Sequence, residues 1–411
     1  MVPPDDTSQP TRRSMLHRGA TAVAICLSTA LSGCTGLPPL GDKPQYGRVD
    51  IPDPGPPEYR RWLPAEWDSD TDEVWFLTYV EPGSFHGPVP EDLVSSRATQ
   101  RRDLEYLGIG YENYDSLTRT TLATVREGTF SADTVRSALA ETGYESDGSY
   151  RDYDLYARSD IPRRVAVRDG VVVSTSASLH STPDLEATID AGHGDTERYH
   201  EVDTTFEAVT DAVGASRLVS IGDHPTLNPT VAELGVVAFR VDYEAAYPFV
   251  LERYPETVDQ PGEQMKDAIQ DQHFTGMAAA DTIDIRVDGQ LATAGARIPL
   301  QPDEPRDLIH DPPQITWGVA FDAESETATL RHELGPELDA DRLWYDLVPI
   351  DAINRVENRS LWPGRDTVGP GDETTVDMSD HPDADRVDVR WGPKDHPYGL
   401  RLFSYVPDRG E

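Results

Sequence analysis

Alternating carboxylates form the first segment of this sequence whose residue types suggest chemistry. Asp68, Asp70 and Asp72 have the spacing of the first calcium ligands in an EF-hand loop. That loop also needs glycine at its sixth position and glutamate at its twelfth, where this chain has Glu73 and Tyr79. The sequence therefore excludes an EF-hand and favours a solvated acidic turn, with a looser calcium site as the alternative.

Histidines next to acidic residues form a second candidate site, for a metal ion or a general base. The cluster consists of His193, Asp195, His200 and Glu201. No two histidines in it are four residues apart, the spacing that puts two ligands on one helix face. The segment is predicted to be a loop between helices, so a solvated loop is the favoured interpretation.

The tripeptide Asp-His-Pro occurs three times, at residues 223–225, 380–382 and 395–397. A residue that precedes proline is biased away from helix towards extended and turn conformations. We therefore expect three turns here, and no catalytic dyads.

A serine nucleophile would need a strand followed by the G-x-S-x-G turn. Residues 143–148 have one residue too many for this motif and follow a predicted helix. The sequence has no glycine-rich phosphate loop or dinucleotide fingerprint, and its carboxylates are too numerous to indicate a glycosidase pair. We therefore predict no catalytic residues, no metal and no cofactor.

The N-terminal segment has the pattern of an export signal. Arg12 and Arg13 precede residues 19–33, which contain no charged side chain. This apolar segment is too short to span about 30 Å of hydrocarbon stably, which favours a signal peptide over a membrane helix. The twin arginines predict export by the twin-arginine (Tat) route.

A lipid-attachment motif follows directly. Small residues before a cysteine define a lipobox, in which the cysteine is lipidated and becomes the mature N-terminus. The matching residues are Leu31, Ser32, Gly33 and Cys34. We expect residues 1–33 to be removed and Cys34 to anchor the protein to the outer face of the cytoplasmic membrane, with an incidental cysteine as the alternative. The other cysteine, Cys26, is then lost, which excludes thiol nucleophiles and thiolate metal sites.

The composition is strongly acidic. Among 411 residues, 74 are Asp or Glu and 36 are Lys or Arg, so the formal net charge is −38. Most of such a surface repels nucleic acid, which we exclude as a partner. Only Lys43, Lys266 and Lys394 are lysines. Acidic, lysine-poor chains are typical of extreme halophiles, and well-spaced apolar segments argue against the alternative of a disordered acidic chain.

The length predicts two or three domains. Residues 34–61 are rich in proline and glycine and are predicted to be an extended tether, and residues 301–312 to be a linker. Residues 62–300 are expected to form an α+β region, and residues 313–411 a β-sandwich, because short apolar segments alternate with turns there.

The α+β region contains two similar successions of strand, helix and hairpin. Asp169-Gly170 and Asp288-Gly289 each separate two apolar segments, and Asp-Gly supplies the positive φ of a tight hairpin turn. Modules at about 62–230 and 231–300 could therefore be a duplication. Coincidence is the alternative, because Asp-Gly hairpins are common.

The C-terminal segments carry a resemblance to a known family. The matching segments are residues 313–317, 321–322, 328–332, 335, 338–343, 369, 371–372 and 384–387. They resemble the β-domain of haloarchaeal type IV pilin-like proteins, which implies an extracellular, immunoglobulin-like sandwich. A pilin also needs its own signal and a long apolar assembly helix. This chain has a lipoprotein signal instead, so a pilus subunit is not implied.

The α+β region is similar to haloarchaeal Tat lipoproteins without an assigned activity, through residues 107–111 and the helix–hairpin pattern. Taken together, the sequence predicts a lipid-anchored, non-catalytic binding or interaction module of the cell envelope, with unknown envelope proteins as partners. A solute-binding lipoprotein of a transporter and an envelope hydrolase are the alternatives. Asn358 begins an N-glycosylation sequon, expected on a surface loop.

Overall fold

The structure is a computed structural model, and it describes residues 45–51, 53, 55–65, 76–85, 91–222, 227, 231–242, 244–271, 277, 280, 282–300, 311–349, 356–392 and 399–407. This part of the chain is mostly β-sheet with few helices, and its sheets are almost entirely antiparallel. No helix within these ranges is both long and apolar enough to cross a bilayer. The predicted signal peptide and Cys34 lie outside the described residues.

Fourteen of the described strands form one large sheet. In chain order they are β1 Gln45–Tyr46, β2 Phe76–Val80, β3 Tyr114–Thr120, β4 Thr124–Gly128, β5 Glu145–Tyr150, β6 Tyr153–Arg158, β7 Arg163–Arg168, β8 Val171–Ser176, β9 Leu218–Gly222, β10 Leu234–Val241, β11 Ala245–Arg253, β12 Thr282–Asp288, β13 Leu291–Ala296 and β14 Ile298–Pro299. Their order is β1-β12-β13-β11-β10-β9-β2-β3-β4-β8-β7-β6-β5, with β14 paired to β11. Strands before and after residue 230 therefore share one sheet, and the duplication stays a prediction.

Helices cover both faces of this sheet. They are α1 Glu91–Arg102, α2 Ala132–Leu139, α3 Leu185–His193, α4 Tyr199–Val202, α5 Thr204–Val213 and α6 Pro261–Asp271. Side chains alternate between the faces of a strand, so Ala166 of β7 joins the core under α3 and α5. Its neighbours Val165 and Val167 join the core under α1 and α2. Both faces are apolar for this reason.

Local signals determine several of these elements. Serine is a favoured N-cap residue, and the Ser131 hydroxyl accepts a hydrogen bond from the Asp133 N–H at 3.2 Å at the start of α2. Both predicted Asp-Gly hairpins are present, and Gly170 and Gly289 adopt φ of 72° and 58°. Strand β11 was not predicted because it contains Pro248, which cannot donate a ladder hydrogen bond. The structure places Pro248 between the residues that pair with β13 and those that pair with β14.

The predicted tether through residue 61 is wrong for its second half. Strand β1 pairs in parallel with β12, and residues 58–62 form a 3-10 turn on the sheet. Val49 and Tyr59 are buried, and Gly55 bridges to Ala215. Proline indicates an extended backbone, but it does not decide whether apolar neighbours such as Tyr59 find a surface to pack on.

The packing of Trp62 against α3 gives a direct test of this docking. A Cβ added at Gly192 would lie 2.1 Å from Cζ3 of Trp62, so we expect Gly192→Ala to lower the free energy of unfolding by about 1–3 kcal/mol. Chemical denaturation followed by tryptophan fluorescence measures the change. Gly83→Ala is the control, because its added Cβ has no atom within 4 Å. Stability equal to or above wild type in Gly192→Ala would contradict the docking.

The C-terminal strands form a three-stranded, a four-stranded and a two-stranded antiparallel sheet. They are β15 Thr316–Asp322, β16 Thr327–Leu334, β17 Leu338–Asp339, β18 Leu343–Pro349, β19 Val356–Ser360, β20 Thr367–Val368, β21 Glu373–Asp377, β22 Ala384–Trp391 and β23 Leu400–Tyr405. The sheet orders are β15-β16-β21 and β19-β18-β22-β23, and β17 pairs with β20. Trp317 and Leu330 of the first sheet share a core with Leu347 and Val389 of the second.

Ion pairs with little solvent exposure fix these C-terminal strands to the large sheet. Arg158 of β6 donates to Asp160 and, at 2.7 Å, to Glu333 of β16. Arg163 of β7 donates to Asp160 at 3.0 Å and also pairs with Glu105. Burial opposes ionisation of Asp160, but the two guanidinium groups outweigh it and hold its pKa below the usual range.

Backbone contacts complete this interface. The guanidinium of Arg163 donates to the Trp317 carbonyl at 3.0 Å, and Asp160 accepts from the Val319 N–H at 3.0 Å. The Gln314 side chain accepts from the Tyr111 N–H at 2.6 Å. Each bond joins a side chain of one part to the backbone of the other, so the relative orientation of the two parts is specified.

Candidate functional site

Several of the predicted sites lie outside the described residues. These are the alternating carboxylates at 68–72, the Asp-His-Pro tripeptides at 223–225 and 395–397, and the export and lipid-attachment residues Arg12, Arg13, Leu31, Ser32, Gly33 and Cys34. The third tripeptide, at 380–382, is described and forms a turn. The His381 N–H donates to the Met378 carbonyl, and Nε2 of His381 lies 3.0 Å from a guanidinium nitrogen of Arg359.

The residues of the predicted histidine cluster around residue 193 contact different partners and do not form one site. Nε2 of His193 lies 3.0 Å from the Asp152 carboxylate, whereas Asp195 pairs with Arg151. Glu201 accepts a hydrogen bond from the Arg198 N–H at 2.8 Å. The structure finds no group of three or more metal-ligating side chains in the ranges that it describes.

The serine of the rejected motif at residues 143–148 and the asparagine of the sequon both lie in edge strands. Ser146 belongs to β5 at one end of the large sheet, away from any strand-to-helix turn of the kind a nucleophile elbow needs. The Asn358 sequon was expected on a loop, but its backbone belongs to β19, an edge strand. Arg359 and Ser360 of the sequon are exposed.

One imidazole–hydroxyl pair was not predicted from the sequence. Nε2 of His180 lies 3.0 Å from Oγ1 of Thr124, and its Nδ1 accepts from the Ser176 N–H at 2.9 Å. Burial lowers the pKa of His180 to about 4. Both His180 and Thr124 are 3% exposed, so a substrate does not reach them and their role is structural.

The site best suited to a ligand is a cleft between the 3-10 turn at residues 58–62 and helix α4. We call it the basic cleft; its volume is about 200 Å³. It is lined by Pro56, Pro57, Glu58, Arg60, Arg61, Arg198 and His200. Three arginines and a histidine face one carboxylate there, in a protein whose net charge is −38. Sequence reasoning missed it because its two halves are far apart in the chain.

Two of the arginines in the basic cleft are already paired. Arg60 donates to Thr210 at 2.6 Å and to the Asp211 carboxylate at 2.8 Å. Arg61 pairs with Glu127. These contacts fix the two guanidinium groups in place and neutralise part of their charge.

Arg198 and His200 are less completely satisfied. Arg198 donates through Nε to the Ala191 carbonyl at 3.1 Å, and it forms no ion pair with a carboxylate among the residues described. Nδ1 of His200 is buried without a hydrogen-bond partner in the described part of the chain. The pKa of His200 is lowered, first by burial, which is the largest cause, and then by Arg60 and Arg198, which act in the same direction. Glu201 and Glu207 have the opposite effect but do not outweigh it.

A second depression has no such excess of charge. It has a volume of about 360 Å³ and is lined by Ser131, Ala132, Asp133, Arg136, Asp152, Arg168 and Asp169. Its basic residues are compensated locally, because Arg136 pairs with Asp133 and Asp154, and Arg168 lies 3.8 Å from Asp152. The basic cleft is therefore the better candidate site.

Comparison with known proteins adds little. No family model matches this sequence, and no curated protein matches it significantly. Crystal forms I and III of a protein named TP0453 are similar over 57% of this chain and 92% of that one, at 12% and 10% identity and TM-scores of 0.36. Form IV covers 56% of this chain and 92% of that one at 10% identity, with a TM-score of 0.34. Similarity this weak carries no argument about function.

Proposed function

We propose that this protein is exported and anchored by a lipid on Cys34, and that its folded part is a non-catalytic binding module of the cell envelope. The sequence Leu31-Ser32-Gly33-Cys34, after the twin arginines, supports the anchor. The observation that carries the binding role is the basic cleft, where cationic side chains converge on an otherwise acidic molecule. Two of the cleft's arginines are paired with acids, so the third, Arg198, supplies the positive charge that favours an anionic ligand.

The finer description of the fold belongs to the same proposal. We propose that residues 62–300 are an α+β region and residues 313–411 an immunoglobulin-like sandwich of the haloarchaeal pilin-like type. The common core of the two C-terminal sheets supports the second assignment. The acidic, lysine-poor composition supports a halophilic source.

The alternatives have less support. A solute-binding lipoprotein would be expected to have two α/β lobes with many parallel strands, whereas the large sheet here is antiparallel apart from β1 and β12. A hydrolase built on His193 and His200 would need the two imidazoles in one site. His193 contacts Asp152, and His200 lines the basic cleft.

The anchor is tested by comparing the two cysteines of the chain. We expect wild-type protein to sediment with membranes, because an acyl chain contributes about 0.8 kcal/mol per buried CH₂ group. Cys34→Ser should be released into the soluble fraction, and intact mass should show the lipid only on protein that retains Cys34. Cys26→Ser is the matched control and should behave as wild type. Soluble wild-type protein without a lipid mass would refute the anchor.

A further inference from the structure

The basic cleft combines fixed positive charge with unused hydrogen-bonding groups. Arg60 and Arg61 are held by Asp211 and Glu127, so their guanidinium groups line the cleft at fixed positions. Nε of Arg61 and Nδ1 of His200 are buried without hydrogen-bond partners in the part of the chain that the structure describes. Fifteen further side-chain atoms of the described residues are in the same state, so these two count because their residues line a cleft that a ligand can enter.

Arg198 supplies the charge that no carboxylate of the described chain neutralises. Its Nε is committed to the Ala191 carbonyl, which orients the guanidinium plane and leaves its terminal nitrogens for another acceptor. Glu58 is the single acid among the lining residues. Outside the lining, Asp211 and Glu127 pair with the other two arginines, and Glu201 and Glu207 raise the pKa of His200 against its burial.

We propose that the basic cleft binds a phosphate group, held by Arg198 and His200 with Arg60 and Arg61 beside them. Guanidinium groups present planar pairs of N–H donors that match tetrahedral oxyanions. The inference rests on the proposed binding role but not on the lipid anchor, because the cleft is built entirely from residues 56–61 and 198–200.

The size of the basic cleft limits the ligand. Its volume of about 200 Å³ is below the roughly 300–1,000 Å³ of a typical small-molecule pocket, so it holds a phosphate group and not a whole nucleotide. That phosphate belongs to a small soluble ester or to the head group of an anionic phospholipid. Both sources present anionic phosphoryl oxygens to Arg198.

The experiment titrates His200 by NMR in full-length Cys34→Ser protein with ¹³C-labelled histidine, at constant sodium chloride. His200→Gln assigns the signal. Inorganic phosphate is expected to raise the His200 pKa in a saturable manner, because a bound anion stabilises imidazolium. Glycerol phosphate and vesicles with anionic phospholipid are then added separately. If glycerol phosphate raises the His200 pKa and vesicles do not, the ligand is a soluble ester. If vesicles compete with inorganic phosphate for the cleft, the ligand is a lipid head group.

Variants separate binding from structural change. Arg198→Gln should weaken phosphate binding at least about tenfold, and Arg198→Lys should lose less, because it keeps the charge without the planar pair of donors. Arg331→Ala, at an exposed arginine of β16, is the control and should bind as wild type. No saturable change at His200, or equal affinity in Arg198→Gln, would overturn the proposal whether or not Cys34 carries a lipid.

Discussion

Replacing Arg158 by methionine is expected to lower the free energy of unfolding by about 3–5 kcal/mol, the cost of leaving a buried charge without its partner. The side chains of Arg158 and Glu333 are 4% and 7% exposed and lie 2.7 Å apart. Asp160 would keep Arg163 as a partner at 3.0 Å. Glu333 would keep no ion-pair partner among the described residues, so its buried carboxylate accounts for most of the loss.

A double variant distinguishes this cause from lost packing. Replacing Glu333 by methionine in the Arg158→Met background removes the unpaired charge, and we expect most of the stability to return. Arg331→Ala is the control, because it breaks the pair between Arg331 of β16 and Glu373 of β21, whose side chains are 55% and 53% exposed, and it should cost no more than about 1 kcal/mol. Denaturation at constant high salt measures all four proteins. If Arg158→Met loses no more stability than Arg331→Ala, the Arg158–Glu333 pair does not contribute significantly to the free energy of unfolding.

The second large effect is a loss of stability on acidification that depends on His180. Its imidazole accepts a hydrogen bond from the Ser176 N–H and is buried, so burial lowers its pKa to about 4 in the folded protein. The unfolded chain binds this proton near pH 6.5, so between these two pH values the unfolded state holds more protons. Stability therefore falls as the pH falls from 6.5 to 4, by about 2 kcal/mol at pH 5.

The test compares the pH dependence of stability in wild type and in His180→Asn between pH 7 and pH 5. His180→Asn lowers stability at both values, but its slope should be smaller, because asparagine does not titrate. His332 leaves a residual slope of the same sign, since burial also lowers its pKa. Thr124→Val is the control, because it removes the hydroxyl partner but keeps the titrating ring. Equal slopes in wild type and His180→Asn would contradict the assignment to His180.

Elements with strong local signals were predictable from the sequence. The Ser131 cap, the hairpins at Gly170 and Gly289 and most strands of residues 313–411 depend on neighbours within a few positions, so turn chemistry and alternation predict them. Strand β11 was missed because Pro248 opposes the local pattern, and the register with β10 and β13 overrides it.

The packing of residues 45–61 and the candidate site depended on contacts between distant parts of the chain. Tyr59 is buried with its hydroxyl at the Gly214 carbonyl, 155 residues away, and the basic cleft joins residues 56–61 to Arg198 and His200. His180 and Thr124 are 56 residues apart.

The sequence by itself was enough to recognise the acidic composition, the export and lipidation pattern, and the local turns and caps. Each of these depends only on residue type or on short spacing. Only the tertiary structure decided the order of the fourteen-stranded sheet, the buried ion pairs of Arg158 and Arg163, and the convergence of cationic side chains in the basic cleft. The physical reason is that burial and electrostatic potential are sums over groups brought together by the fold, and a net charge of −38 gives no information about where the positive charges meet.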